Sequence, residues 1–220
     1  MINAGKEYSL CDKCIKELDW ANKNTCEKCG IKLENDEIHL CKTCMQQDQN
    51  FEKAYTCMVY DEMAKNMITE YKFRGKAYMA KPLAEILIDK FLTSGAVADM
   101  VTFVPMHPKK EKQRGYNQAK LLAESFVVKL ELPLESDLLL RKVYKKAMNK
   151  LGASERRENI QGAYALTCDE TKLEKLKGKT VILIDDIYTT GTTANECAKL
   201  LKDGGAESVS VFTLAAGADN

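Results

Sequence analysis

From Val181 to Thr193 the chain reads Val-Ile-Leu-Ile-Asp-Asp-Ile-Tyr-Thr-Thr-Gly-Thr-Thr. The first four residues are branched or aliphatic, which predicts a strand buried on both faces, as in a parallel sheet covered by helices. Residues 194–202 continue at the spacing of an amphipathic helix. Strand, polar loop and helix in this order predict an α/β fold with a parallel sheet flanked by helices.

The polar loop after this strand has the composition of a phosphate site. Backbone N–H groups of such a loop and of the following helix N-terminus point at an anion, and hydroxyl groups add donors. A glycine lets the backbone approach the ligand without a Cβ in the way. The candidate phosphate-binding residues are Thr189, Thr190, Gly191, Thr192 and Thr193. An ordinary strand-to-helix turn with an acidic helix cap is the alternative interpretation.

Two acids, Asp185 and Asp186, stand between the predicted strand and this loop. Carboxylates suit a pair of ribose hydroxyls, or a Mg²⁺ ion that carries a polyphosphate, better than they suit a phosphate itself. No Gly-Lys-Ser/Thr follows Gly191, which excludes a Walker loop. The pattern G-x-G-x-x-G is also absent, which excludes the Rossmann fingerprint.

An apolar strand, two acids, two further residues and Thr-Thr-Gly-Thr-Thr together resemble the phosphoribosyl pyrophosphate (PRPP) loop of the type I phosphoribosyltransferases. The resemblance implies a type I phosphoribosyltransferase-like parallel sheet flanked by helices. It also implies that Asp185 and Asp186 hold the ribose 2′ and 3′ hydroxyls, that the Thr/Gly loop holds the 5′-phosphate, and that Mg²⁺ accompanies PRPP.

The length and net charge of the chain limit the functions that it can have. At 220 residues the chain has room for one α/β domain and a small appendage. It carries 33 Lys and Arg against 32 Asp and Glu, a net charge of +1, so an anionic partner must meet a local patch of cations. No apolar run reaches the length of a membrane span, and the first residues do not resemble a signal peptide. We therefore expect a cytoplasmic protein.

Six of the nine cysteines fall in the first 44 residues, as three C-x-x-C pairs that repeat every fifteen residues. One C-x-x-C turn presents two thiolates, and two turns supply the four ligands of a tetrahedral zinc site. The segment is otherwise polar, so zinc would supply its folding energy. We predict a structural zinc-binding domain over residues 1–50 and an α/β domain over residues 51–220. A redox dithiol is the alternative for one pair, but not for three.

Six thiols exceed the four ligands of one closed site. We assign that site to Cys26, Cys29, Cys41 and Cys44. Cys11 and Cys14 are then two ligands short of a site of their own. The nearby candidates to complete it are His39 and Cys57. How the six thiolates share the metal stays open.

A second anion site is predicted where a strand at residues 100–104 leads into a basic loop and a helix that runs to residue 130. Ligands of open parallel sheets bind at the carboxyl ends of neighbouring strands, so this loop would face the first one. Its candidate residues, as a pyrophosphate loop, are Pro105, His107, Lys109, Arg114 and Gly115. His107 has the chemistry of a general base, although a histidine beside two prolines more often has a structural role.

Two basic stretches suggest contact with nucleic acid. Residues 71–76, Tyr-Lys-Phe-Arg-Gly-Lys, interleave aromatics and cations, which suits single-stranded DNA; a helix end with solvated lysines is the alternative. Residues 141–157 hold seven cations and one acid, which predicts a mobile loop, either merely solvated or closing as a flap over a pyrophosphate. The candidate DNA-binding residues are Lys72, Phe73, Arg74, Lys76, Arg114, Tyr116, Arg156 and Arg157.

The order of these motifs resembles the late-competence ComF family along nearly the whole chain. Residues 114–119, Arg-Gly-Tyr-Asn-Gln-Ala, resemble that family's R-G-F-N-Q signature. Its R-x-N-x-x-x-A-F pattern is matched by Arg157, Asn159, Ala163 and Tyr164. The resemblance implies a phosphoribosyltransferase-like protein with an N-terminal zinc ribbon. It also implies a role in bringing transforming DNA into the cytoplasm beside a helicase and a membrane channel, so that partners would bring the protein to the inner face of the membrane.

Two features depart from that family. A further C-x-x-C often precedes the first pair seen here, which leaves the metal role of Cys11 and Cys14 open. The family also tends to place a Gln in the flap where this chain has Met148 and Asn149, so a flap contact would differ.

Three functions are compatible with these patterns. The first is a DNA-uptake factor whose PRPP-type site binds PRPP, a nucleotide or a DNA phosphate end. The second is a transferase that joins ribose 5-phosphate to a base or amine with loss of pyrophosphate, through an oxocarbenium-like transition state stabilised by charge. The third is a non-catalytic zinc-ribbon adaptor. The lack of an evident base-specific hood weighs against the second, and the intact acid pair and loop weigh against the third.

Overall fold

The computed structural model describes residues 8–73, 75–143 and 162–218. The elements of these residues, in chain order, are α1 (Asp12–Glu17), α2 (Lys42–Gln46), β1 (Lys53–Val59), α3 (Glu62–Phe73), a 3₁₀ helix (Ala77–Met79), α4 (Ala80–Ser94), β2 (Met100–Phe103), α5 (Pro108–Arg114), α6 (Gln118–Leu130), β3 (Leu139–Arg141), β4 (Tyr164–Leu166), α7 (Glu170–Leu176), β5 (Thr180–Tyr188), α8 (Thr192–Asp203) and β6 (Ser208–Ala216).

Four strands form one parallel sheet in the order β1-β6-β5-β2. The strand predicted at residues 181–184 is confirmed as part of β5, and all four residues are 0% exposed. Ile182 and Ile184 join the apolar core formed with α3, α4 and α6. Val181 and Leu183 join the core formed with α7 and α8. Helices therefore cover β5 on both faces, as its composition requires.

The end of β5 differs from the expectation. Its pairing with β2 stops at Ile184, opposite Phe103. Its pairing with β6 continues to Tyr188, opposite Ala216. The expectation that the two acids follow the strand is therefore wrong, because β6 supplies ladder partners past Ile184 and keeps the acids within β5. They lie beyond the end of the shorter neighbour β2, at the carboxyl edge of the sheet where ligands bind in open α/β folds.

The cysteine-rich segment packs directly against this sheet. Three of its cysteines are buried and share the core on the α7 and α8 face of β5. Ala54 N, on β1, donates a hydrogen bond of 2.8 Å to the carbonyl of Lys28. Gly30 has φ of +72°, and a Cβ there would stand 2.5 Å from the carbonyl oxygen of Ala54. Only glycine fits at this contact. The domain boundary at residue 50 stays a prediction.

The structure of residues 100–115 differs in part from the prediction. The strand predicted from residue 100 is β2. The basic loop expected after Pro105 is wrong in part, because residues 108–114 form α5. Pro108 begins that helix, and the His107 side chain accepts a hydrogen bond from Lys109 N, so the start of the helix is fixed.

The loop expected over residues 141–157 is wrong at its first residue. Arg141 ends β3, which pairs antiparallel with β4 so that Arg141 lies opposite Tyr164. Residues 144–157 of the hypothesised flap, with Arg156 and Arg157, lie outside the described residues, as do Arg74 and Asn159.

Candidate functional site

The Thr/Gly loop, residues 189–193, connects β5 to α8. Gly191 is the N-cap of α8, has φ of +73° and gives the first turn no side-chain cap. The first N–H groups of the helix are therefore available to an anion. A hydrogen bond of 2.8 Å joins the hydroxyls of Thr190 and Thr192. The loop thus offers backbone N–H groups and hydroxyls on one turn, which is the donor set that a phosphate requires.

Gly191 is fixed by its contact with Tyr188. A Cβ at residue 191 would stand 2.0 Å from the Tyr188 hydroxyl oxygen. The Tyr188 ring is only 4% exposed and packs edge-on against Phe51, with centroids 6.3 Å apart. The left-handed backbone and the contact with this buried ring both disfavour a Cβ, so position 191 strongly favours glycine.

The acid pair precedes this loop on the same strand. Asp186 N donates a hydrogen bond of 2.8 Å to the Asp185 carboxylate. Lys72 Nζ, at the end of α3, lies 2.9 Å from Asp186 Oδ2, and both side chains are less than one-fifth exposed. Burial and the neighbouring charge of Asp186 raise the pKa of Asp185 from its ordinary value of 3.8 to about 7, while the charges of Lys72 and Arg141 oppose the rise.

Cations from α5 face the acid pair. Burial, together with the charges of Arg114, Arg141 and Lys72, lowers the pKa of the half-buried Lys110 ammonium. Burial also lowers the pKa of Arg114. The negative charge of Asp186 acts in the opposite direction and raises the pKa of both Lys110 and Arg114. The structure therefore brings the region after β2 to the acids on β5, as the neighbouring strand ends require. Lys110 is not among the residues predicted for the pyrophosphate loop, although it stands in the same basic run as Lys109.

Arg114 also packs against an exposed aromatic side chain. Its guanidinium carbon lies 4.5 Å from the centre of the Phe73 ring, which is 67% exposed. A guanidinium nitrogen of Arg114 donates to the side-chain carbonyl of Gln118. Tyr71 is fully buried, so it offers no stacking face, and Tyr116 donates its hydroxyl proton to the Tyr71 carbonyl. Among the predicted aromatics, Phe73 is the one presented to solvent.

The other predicted residues of the second loop have local structural partners. His107 caps α5 through Nδ1, which agrees with the structural interpretation of this histidine. Gly115 ends that helix with φ of +94°. Pro105 is buried at the end of the strand, and Lys109 is exposed. Lys76 forms an ion pair of 2.6 Å with Glu70.

The candidate metal centre is formed by two C-x-x-C turns. One ligand atom from each of Cys26, Cys29, Cys41 and Cys44 lies within 4.8 Å of the others. Backbone N–H groups of Cys29 and Cys41 point at Cys26 Sγ, over 3.5 and 3.4 Å. Four mutually close sulfurs with backbone donors suit thiolates around one tetrahedral Zn²⁺, and they leave no open position for catalysis. The predicted four-cysteine assignment therefore fits a structural metal.

Cys11 and Cys14 stand apart from this cluster. Their sulfurs are 3.0 Å from each other on α1. Among the described residues, no further cysteine, histidine or acid lies close enough to Cys11 and Cys14 to form a metal site with them. His39 instead lies 3.4 Å from Glu27, and Cys57 is fully buried on β1. Neither of the two proposed partners therefore completes a second site.

The last residues of the cysteine-rich segment contact the residues that flank the Thr/Gly loop. Asn50 donates from its backbone N and from Nδ2 to Asn195 Oδ1, over 2.6 and 3.0 Å. Asn195 lies in the first turn of α8, and Phe51 packs on Tyr188 as described above. These contacts join the end of the cysteine-rich segment to both sides of the phosphate loop. No pattern in the sequence marks either asparagine as part of the site.

The raised pKa of Asp185 predicts that folding stability falls between about pH 4 and pH 7. In this window the folded chain keeps a proton that the unfolded chain has lost, so rising pH favours unfolding. Asp185→Asn should remove that part of the decline. Urea unfolding of both proteins across the window measures it, with Asp203→Asn, an exposed acid at the end of α8, as the control. Equal declines in wild type and Asp185→Asn would contradict the assignment.

Comparison with known proteins gives one domain match and several full-length relatives. Residues 112–220 match the family described as "Phosphoribosyl transferase domain". Competence protein F of Haemophilus influenzae (strain Rd) is 28% identical, over 94% of this chain and 90% of its own length. DNA utilization protein YhgH of Escherichia coli (strain K12) is 26% identical, over 94% and 90%. Competence protein ComFC of Bacillus subtilis (strain 168) is 28% identical, over 94% and 84%.

These findings confirm the resemblance to the ComF family and the phosphoribosyltransferase-type fold class. None of the helices in the described parts of the chain is long and apolar enough to cross a bilayer. The roles of individual site residues remain predictions.

Proposed function

We propose that the chain is a DNA-uptake factor that binds PRPP or a related nucleotide at the acid pair and the Thr/Gly loop and handles single-stranded DNA beside it. The observation that carries the proposal is the placement of Asp185, Asp186 and the Thr/Gly loop on one strand–loop–helix, with cations of α3 and α5 facing them. The relatives named for competence and DNA utilization support the cellular role.

The ligand chemistry follows from the donor sets. The Thr/Gly loop would hold a 5′-phosphate with backbone N–H groups and hydroxyls. The acid pair would accept hydrogen bonds from the ribose 2′ and 3′ hydroxyls, with Lys72 holding the Asp186 carboxylate in place before the ligand arrives. Mg²⁺, carried by the polyphosphate, would neutralise part of the ligand's charge. The acids, half-buried at the edge of the sheet, fit such an ion.

The proposed DNA surface consists of Phe73 and Arg114. An exposed aromatic ring beneath a guanidinium offers a base a stacking face and offers a phosphate a charge. Lys72 and Lys76 already have acidic partners, so their contribution would need those pairs to open. With a net charge of only +1, binding would depend on this local cluster and would weaken steeply as salt is added.

A phosphoribosyl transfer is the second candidate, and the match of residues 112–220 to the transferase domain favours it. In that case charge at the site would stabilise an oxocarbenium-like transition state and the leaving pyrophosphate. Both candidate functions use the same binding site. An assay for pyrophosphate released from PRPP in the presence of common bases distinguishes them, because only the transferase releases it. We expect binding without rapid turnover.

The test compares wild type with Asp186→Asn. Calorimetry should show PRPP or a 5′-phosphorylated nucleotide binding to wild type, and affinity should fall at least about tenfold in Asp186→Asn, because a charged hydrogen bond contributes about 1.5–3 kcal/mol. Asp203→Asn, which removes an exposed acid at the far end of α8, is the matched control. Titrations with and without Mg²⁺, and with single-stranded DNA at two salt concentrations, complete the set.

A transformation assay connects binding with uptake. A competent host that carries Asp185→Ala with Asp186→Ala should transform poorly, while Asp203→Ala should leave uptake intact. Full transformation without the acid pair, in a chain that is folded, would show that the site is dispensable and would favour the adaptor function. Equal PRPP affinity in wild type and Asp186→Asn would remove the ribose assignment itself.

A further inference from the structure

A small polar cavity lies where the start of β1, the end of α4 and the cysteine-rich segment meet. Its volume is about 180 Å³, and its walls include Lys53, Lys90 and Thr25. Water takes about 30 Å³ per molecule in the liquid, so the cavity has room for one tetrahedral oxyanion and a few waters. It is smaller than the pockets of about 300–1,000 Å³ that hold larger organic ligands. The cavity therefore suits a single small group.

This cavity is separate from the acid pair and the Thr/Gly loop. Lys53 begins β1 and lies opposite Ser210 of β6, which in turn lies opposite Ile182 of β5. Asp186 stands further along β5 by four residues, which is about 13 Å towards the carboxyl edge at a rise of about 3.3 Å per residue. The cavity thus lies two strands away from the acids and towards the amino edge of the sheet.

Two cations share the cavity without an acid. Lys90 Nζ donates a hydrogen bond of 2.9 Å to the carbonyl of Ala21, and Lys53 Nζ lies 5.5 Å from the centre of the Tyr55 ring. Both lysines are half-buried, and no carboxylate of the described residues lies within 4.0 Å of either ammonium. Burial lowers the pKa of Lys90, and the charge of Lys53 lowers it further. A carbonyl and a ring face hold the two ammoniums in place but leave their charge uncompensated.

The hydroxyls at the end of α4 are already used within the helix. Thr93 Oγ donates to the carbonyl of Asp89, and Ser94 Oγ donates to the carbonyl of Phe91, each over 2.8 Å. The ammoniums are therefore the main donors of the cavity. An ammonium carries three donors and binds phosphate oxygens as a point charge. Two such groups on one small cavity favour an oxyanion over a neutral ligand.

We propose that Lys53 and Lys90 form an anion site that binds one phosphate group. The phosphate is either free phosphate or a phosphodiester of single-stranded DNA that runs past the mouth of the cavity. Its oxygens would accept hydrogen bonds from both ammoniums, and Thr25 offers a hydroxyl on the same wall. The site does not use the acid pair or the Thr/Gly loop, so it is independent of PRPP binding.

The test is a titration of wild type and Lys90→Met with inorganic phosphate, followed through the NMR signals of backbone amides. The amides of Thr25 and Gly30 report on the cavity, and the amide of Gly191 reports on the Thr/Gly loop. Lys90→Met removes a charged donor, so phosphate affinity at the cavity should fall about tenfold or more, while the affinity seen at Gly191 should stay within about twofold. Lys65→Met, which removes an exposed cation from α3, should change neither affinity.

A second titration identifies the source of the phosphate. Oligothymidylate without a terminal phosphate carries phosphodiesters alone. If it shifts the cavity amides of wild type, and binds there about tenfold or more weakly in Lys90→Met, the site takes the DNA backbone. If inorganic phosphate alone shifts these amides, the site takes free phosphate. Sodium chloride at matched ionic strength should shift neither set of amides.

Equal phosphate affinity at the cavity in wild type and Lys90→Met would overturn the site. A response of the cavity amides to sodium chloride as large as the response to phosphate would also overturn it. If Lys90→Met does not fold, Lys53→Gln carries the same expected loss, and wild-type affinity in that variant would contradict the assignment. A wild type in which phosphate shifts the cavity amides but not Gly191 would contradict the proposed function and support this site.

Discussion

Wild type should bind one Zn²⁺ at the four-cysteine cluster, and Cys29→Ser should lose this metal and unfold the cysteine-rich segment. Cys29 is 1% exposed and is one of four sulfurs that lie within 4.8 Å of one another. Structural zinc in small Cys-rich modules contributes about 10–16 kcal/mol of apparent binding free energy at neutral pH, and much of this is lost when one thiolate of four is missing. Metal analysis should fall from one zinc per chain to a small fraction, and protease should cut within residues 20–50.

Cys168→Ser is the matched control, because Cys168 is exposed and lies outside the cluster. It should keep full metal content and the wild-type digestion pattern. A metal-free preparation of wild type that stays folded through residue 50 would contradict the assignment. The phosphate loop provides a second readout. Since Asn50 and Phe51 contact Asn195 and Tyr188, loss of the segment should also weaken ligand binding at the Thr/Gly loop.

Gly191→Ala should be among the most damaging single substitutions outside the metal centre. The left-handed φ of +73° costs a residue with a Cβ about 1–2 kcal/mol. The new Cβ would stand 2.0 Å from the Tyr188 hydroxyl oxygen, and moving a buried ring in a packed core adds about 1–3 kcal/mol. Urea unfolding should therefore show a loss of about 2–5 kcal/mol, together with loss of phosphate binding.

Gly178→Ala separates the two causes. Gly178 has φ of +66°, and a Cβ there would meet no atom within 4 Å. This variant should carry the backbone strain alone, about 1–2 kcal/mol, and should bind phosphate ligands normally. If both variants lose the same free energy of unfolding, the contact with Tyr188 adds no constraint at position 191. The conclusion that this contact disfavours a Cβ there would then be incorrect.

The local features of this protein follow from the sequence, because each depends on residues close together in the chain. Four aliphatic residues in a row at 181–184 require cover on both faces, and the sheet provides it. Each C-x-x-C turn brings its own two thiolates close by local backbone geometry. Asp185 and Asp186 lie two residues before a loop of threonines around one glycine, which is the composition of an anion site. Fold class and the candidate phosphate and metal sites are therefore visible without coordinates.

Tertiary structure decided what depends on residues distant in the chain. Pairing with β6 extends β5 to Tyr188 and keeps the acids in the sheet. Folding of α3 onto the sheet brings Lys72 to Asp186, and the β3–β4 hairpin brings the Arg141 guanidinium onto the Tyr164 ring. No local pattern specifies such pairs, since their partners are set by how helices and strands pack. For the same reason, three equal C-x-x-C pairs in the sequence become one four-sulfur cluster and one separate pair.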